Sequence, residues 1–300
     1  MSIFQFNNKG GSGRGVARLL ALLLGCSLVW STPLRTVATD TLVLGVFPRK
    51  GFSQTLEQFT PLAEYLSRQL GREVVLRSGR NFAEFWHGVE QRQYDLVHYN
   101  QYHYVRSKKS FGYEVIAKNE EFHESTISGA LLVRRDSGIE TLADLRGKKV
   151  IFGGGRRAMQ SYIVASYLLQ EAGLQPSDYE YAFASSPLNA IFATYYRRAV
   201  AAGSADLNLQ LPMIKKRIDT TQLRVLAKGE PLAHLPWAVK ADLPEPLKQQ
   251  LSQSLTTLTA APEGRAALKS ADLTDILPAI DGEYDAHRRM ILRVLGEDYE

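Results

Sequence analysis

From Thr41 onward, short apolar runs alternate with longer stretches whose apolar residues recur at helical spacing. Leu42, Val43, Leu44 and Val46 predict a strand over Thr41 to Phe47. Leu56, Phe59, Leu62, Ala63, Leu66 and Leu70 predict a helix over about Thr55 to Leu70, stopped by Gly71. Glu73 to Arg77, Asp95 to Tyr99 and Tyr113 to Ala117 read as further strands, and Asn81 caps a helix carrying Phe82, Phe85, Trp86 and Val89. Thr126 to Arg134 reads as one long β run. The alternation then resumes over Thr141–Leu145, Lys149–Phe152, Met159–Glu171, Tyr179–Ala184, Pro187–Arg197, Ala199–Ala202, Asp206–Arg217 and Gln222–Lys228. Leu223 to Leu226 is the last clear strand, with a short return strand expected over Trp237 to Lys240. The remainder reads as helical, over Pro244–Leu258, Pro262–Ser270 and Glu283–Leu295.

Strands alternating with helices imply an α/β fold with mostly parallel sheets covered on both faces. Two such series, joined near Glu121–Ser128 and again near Gly229–Trp237, imply two lobes. These are residues 40–125 plus 236–300, and residues 126–235, with a ligand cleft between them at strand C-terminal ends.

The first 38 residues read differently. Lys9, Arg14 and Arg18 precede an apolar run from Leu19 to Trp30 that is short for a membrane span, and Thr36-Val37-Ala38 offers a small-residue cleavage site. Leu23-Leu24-Gly25-Cys26 supports the alternative of a lipoprotein signal ending before a lipidated Cys26. Either route places the chain in the periplasm or cell envelope, lipid-anchored in the second case. Cys26 is the sole cysteine, so no internal disulfide is expected. The formal charge of +5 rests largely on Lys9, Arg14, Arg18 and Arg35, which precede the first acid, Asp40. The rest is almost neutral, which removes the electrostatic footing for a nucleic-acid partner.

Candidate chemistry concentrates at Gly153-Gly154-Gly155, between the strand ending at Phe152 and the helix predicted from Met159. Strand, glycine turn and helix N-terminus direct free backbone N–H groups at an anion, and Arg156 and Arg157 add positive charge. Gly153-x-Gly155-x-x-Ala158 also fits a dinucleotide fingerprint, but that needs an acid after the next strand, where Ser185-Ser186 stand. Arg49 and Lys50 follow the first strand, either as anion contacts or as a solvated pair. Tyr99 and Asn100 end a strand beside the expected cleft; Asn189 either caps a helix or faces that cleft. The six histidines lack metal-ligand spacing, and no nucleophile–base pair, Walker loop or G-x-S-x-G elbow occurs, so no enzyme, metal or cofactor is expected.

Several motifs together resemble the periplasmic binding proteins of phosphonate, phosphite and phosphate import: Gly45-Val46-Phe47-Pro48, Asn81-Phe82, Asp95-Leu96-Val97-His98-Tyr99, Phe152-Gly153-x-Gly155 with Ser161, and Leu235-Pro236-Trp237-Ala238-Val239. The resemblance covers about Thr41 to Tyr284. It implies a type II periplasmic-binding fold, a monomer closing over a small oxyanion and passing it to an ABC permease. A sensory protein of the same fold, signalling to a membrane kinase or cyclase, is the alternative. The resemblance further implies ligand contacts by Phe47, Phe82 and Tyr99 on one side and Gly155, Gln160, Ser161 and Tyr162 on the other. Met159-Gln160-Ser161 stands where the family usually has Ser-Thr-Ser. Pro187 and Val200 stand where acidic contacts are common, which argues against an aminoalkylphosphonate.

Overall fold

The computed structural model describes residues 41–300; the signal-peptide and Cys26 expectations lie outside them. In chain order the first elements are β1 (Leu42–Val46), α1 (Phe52–Leu70), β2 (Val74–Arg77), α2 (Phe82–Glu90), β3 (Leu96–His98), α3 (Gln101–Phe111), β4 (Tyr113–Glu120), β5 (Thr126–Ile127) and β6 (Gly129–Arg134). Then follow β7 (Lys149–Gly153), α4 (Ala165–Glu171, continuing a π-helical turn over Met159–Val164), β8 (Glu180–Ala184), α5 (Pro187–Tyr195), β9 (Ala201–Ala205) and α6 (Pro212–Lys215). The last are β10 (Leu223–Lys228), β11 (Leu232–Ala233), β12 (Pro236–Lys240), α7 (Glu245–Thr256), α8 (Pro262–Ser270), β13 (Asp275–Pro278) and α9 (Asp285–Leu295).

Six strands form one sheet in the order β13-β4-β12-β3-β1-β2, and five form a second in the order β10-β6-β9-β7-β8. The chain passes between them twice, and the two passages pair as the ribbon β5–β11, with Ile127 opposite Leu232. Strand alternation sets the cores. Leu42, Leu44 and Val46 face α1, α7 and α8, whereas Val97, Tyr99 and Tyr113 face α2 and α3. In the second sheet Ala130, Leu132 and Ala202 pack under α5 and α6, while Leu131, Val133, Val150 and Phe152 pack under the π turn and α4.

The sheets are mixed rather than mostly parallel. β1 pairs in parallel with β2 and β3, and β7 with β8 and β9. The strands next to the crossings run against their neighbours: β12 against β3 and β4, and β6 against β9 and β10. The run Thr126–Arg134 breaks at Ser128, whose amide donates to Asp206 Oδ1 and whose Oγ donates to the Glu230 carbonyl. Thr141–Leu145 is a 3₁₀ turn capped by Thr141, and Asp206–Arg217 splits at Leu211 ahead of Pro212. The return strand expected over Trp237–Lys240 is β12, central in its sheet, whereas β13, which extends an edge, lies in a region read as helical.

Candidate functional site

A cavity of 690 Å³ lies where α2, α3 and the turn after β1 meet the turn after β7, the start of α5 and the end of β9. Three sequence features build one of its walls. Gly154 and Gly155 adopt φ of 83° and 88°, a backbone that other residues rarely accept. Gly153 is needed for closeness: a Cβ there would sit 2.2 Å from Pro187 Cα. Ala158 then starts a wide turn, its carbonyl accepting from both Tyr162 N and Ile163 N. The amides of Met159, Gln160 and Ser161 have no protein acceptor among the described residues. A π turn at the entry to a helix fits a functional site, and free amides there complement negative charge.

Phe47, Arg49, Phe82, Asn100, Gln160 and Ser161, candidate contacts in the sequence, all line this cavity. Gln160 is 8% exposed, yet neither polar atom of its carboxamide has a partner. Ser161 Oγ donates to the Gly153 carbonyl, fixing the turn. Asn100 caps α3 by accepting from His103 N, and its Nδ2 donates to the Arg157 carbonyl at 3.3 Å, tying β3's end to the glycine turn. Arg49 pairs with Glu121 at 2.5 Å. Burial works to raise the Glu121 pKa, but the Arg49 charge and hydrogen bonds from Arg49 and Asn119 hold it at about 2. Glu121 therefore stays ionised and holds the guanidinium at the wall.

Four expected contacts fall elsewhere. Tyr99 is fully buried beneath α3, its hydroxyl 2.6 Å from Ser107 Oγ, because strand parity turns residue 99 away from the face that carries His98. Tyr162 packs edge-on against Phe152 within the core. Gly155 shapes the turn while its neighbour Gly154 meets the cavity. Asn189 serves the start of α5: its amide donates to Ser186 Oγ and its Nδ2 to Ser185 Oγ. Val200 precedes β9 and does not reach the cavity. The acid at that strand's end is Asp206, bound to Lys228 at 2.6 Å.

Sequence reasoning missed Trp86, His103, Asn208, Leu235, Leu295 and Glu297 as cavity residues. Trp86 stacks on His103 with ring centroids 4.7 Å apart. Burial holds the His103 pKa at about 3, aided by the Arg157 and Arg106 charges. The C-terminal residues gave no local signal, because α9 brings them back only through tertiary packing.

Comparison with known proteins agrees with this geometry. A 16%-identical binding protein of an ABC phosphonate transporter from Pseudomonas aeruginosa superposes with a TM-score of 0.70, covering 84% of this chain and 86% of that one. PhnD1 from Prochlorococcus marinus, solved with methylphosphonate, superposes at 0.72 with 17% identity, covering 85% and 98%. At these identities the likeness is one of fold. The tetrathionate sensor histidine kinase TtrS of Salmonella typhimurium is 27% identical over 206 residues, which is 65% of this chain and 32% of the kinase. The chain thus spans about a third of that relative's length. The family profile described as "ABC transporter, phosphonate, periplasmic substrate-binding protein" matches residues 44–284. The chain belongs to that family of type II periplasmic binding proteins.

Proposed function

We propose that this chain is an envelope receptor that captures a phosphonate, phosphite, phosphate or similar small oxyanion and delivers it to an ABC permease. It binds rather than catalyses. The observation that carries this reading is the set of free Met159, Gln160 and Ser161 amides at a π turn whose residues line the cavity. Arg156 and Arg157 line the same wall and form no ion pair among the described residues. The lobes are residues 40–125 with 236–300 and residues 126–235, a division supported by sheet membership. The protein acts as a monomer held in the envelope either by Cys26 or as a free body after cleavage at Ala38, which intact-mass measurement distinguishes.

The test is thermal denaturation with methylphosphonate, phosphite and phosphate. A ligand at 100 times its Kd adds about 2.7 kcal/mol to stability, so Tm rises by several degrees. No shift with any of the three at millimolar concentration refutes the reading.

A second reading, a receptor that reports to a membrane sensor kinase, is favoured by the identity to the tetrathionate sensor. Stabilisation by tetrathionate but not by phosphorus oxyanions, with co-purification of a kinase instead of a permease, selects it.

A further inference from the structure

The cavity is larger and more apolar than a bare oxyanion requires. Its 690 Å³ falls within the range of about 300–1,000 Å³ common to sites for organic ligands. Away from the glycine turn in sequence, its larger apolar side chains are Phe47, Phe82, Trp86, Ile127, Leu235 and Leu295. Phe82, on the first turn of α2, is 37% exposed, with its ring centroid 6.2 Å from that of Phe47. An exposed ring on a cavity wall is apolar surface that a ligand's carbon body would remove from water.

The charges point the same way. Among the described residues Glu297 is the only carboxylate lining the cavity, and it already accepts from the Tyr102 and Tyr299 hydroxyls at 2.7 and 2.8 Å. Glu121 is held by Arg49. Asp206, next to the lining residue Ala205, accepts from Ser128 N and pairs with Lys228. A ligand ammonium would therefore meet Arg49, Arg156 and Arg157 and no uncommitted carboxylate. An uncharged tail meets the aromatic wall at no such cost.

Resting on the oxyanion reading above, we propose that the ligand is an organophosphonate whose carbon body is uncharged and apolar. Phe47, Phe82 and Trp86 form the subsite for that body, and the Met159–Ser161 amides hold the phosphonate. Selectivity then comes from both ends of the molecule. The head group is recognised by backbone donors, and the tail by ring surface and by the absence of a counter-ion for an amine.

Calorimetric titration with methyl-, propyl-, phenyl- and 2-aminoethylphosphonate tests this. Affinity should rise about fourfold per added methylene. Phenylphosphonate should bind at least tenfold tighter than methylphosphonate. The 2-aminoethyl compound should bind at least tenfold weaker than propylphosphonate, its near-isostere. Phe82→Ala should cut the phenyl-to-methyl affinity ratio at least fivefold and Phe82→Leu should restore most of it, with ligand-free melting curves reporting on folding. An unchanged ratio in Phe82→Ala, a flat series, or tightest binding of the 2-aminoethyl compound overturns the proposal and leaves the oxyanion reading standing. Binding of none of the four overturns both.

Discussion

Gln160 concentrates the residue-scale argument. A buried amide with neither atom bonded costs the ligand-free protein about 1–3 kcal/mol; Gln160 lines the cavity, but its carboxamide has almost no accessible surface, so a ligand would engage it only through a shift of the turn. Gln160→Met keeps the side chain's length and removes both polar atoms. Chemical denaturation should show the ligand-free variant more stable by about 1 kcal/mol, while calorimetry should show methylphosphonate binding weakened at least tenfold. A variant less stable than wild type with affinity intact would make Gln160 a packing residue. At this scale the sequence was half legible. Residue type and loop position picked out Phe47, Arg49, Phe82, Asn100, Gln160 and Ser161. Tyr99 and Tyr162 were misplaced because chemistry alone does not fix which face a side chain takes. β3 ends at His98 and sends Tyr99 under α3, and the π turn puts Tyr162 against Phe152.

The element that positions the site is the π turn, and it lies close over the second sheet because that sheet offers almost no side chain beneath it. β9 reads Ala-Ala-Gly-Ser-Ala and is buried throughout. A Cβ at Gly203 would sit 2.1 Å from the Ser161 carbonyl and 2.5 Å from Phe152, and one at Gly129 would sit 2.6 Å from the Gln160 carbonyl. Neither backbone carbonyl can move without shifting the free amides beside it. Gly203→Ala should therefore destabilise the fold by about 1–3 kcal/mol, the usual cost of overpacking, and should also weaken methylphosphonate binding. Both are read from urea denaturation and titration of one preparation. Intact affinity in a destabilised variant would uncouple β9 from the site. The glycine turn was legible because three consecutive glycines are a strong local signal. The small-residue strand was not, since its meaning depends on what crosses above it, and its span was read as Ala199–Ala202 instead of Ala201–Ala205.

Across the whole molecule, the two sheets share one continuous core. Buried side chains run from Phe85, Tyr99 and Tyr113 beside the first sheet, through Met290 and Ile291 of α9, to Ile163, Phe152 and Val150 on the second. Alternating strands and helices revealed an α/β protein with two series, but not the return of α9 across both, because no short-range pattern encodes it. Four imidazoles are buried: His103, His234 and His287 at this core, and His98 on the other face of the first sheet, stacked on Trp237. Burial is the leading cause that lowers their pKa values, to about 3 for the first, second and fourth and about 4 for His234. All four stay neutral in the folded protein, whereas in the unfolded chain each takes up a proton near its ordinary value of 6.5. The folded values are depressed, so their contribution to stability is complete above about pH 6.5 and declines as pH falls toward 4 and then 3. Glu121, depressed to about 2, adds a loss only at lower pH. Unfolding free energy measured in urea should thus fall steeply between pH 6.5 and 5, where carboxylates contribute little. His287 is fully buried and stacks on Tyr284. Replacing it with leucine removes one of the four proton acceptors, and the slope over that interval should drop by about a quarter. An unchanged slope would mean that His287 takes up no additional proton on unfolding, and that its burial does not hold it neutral.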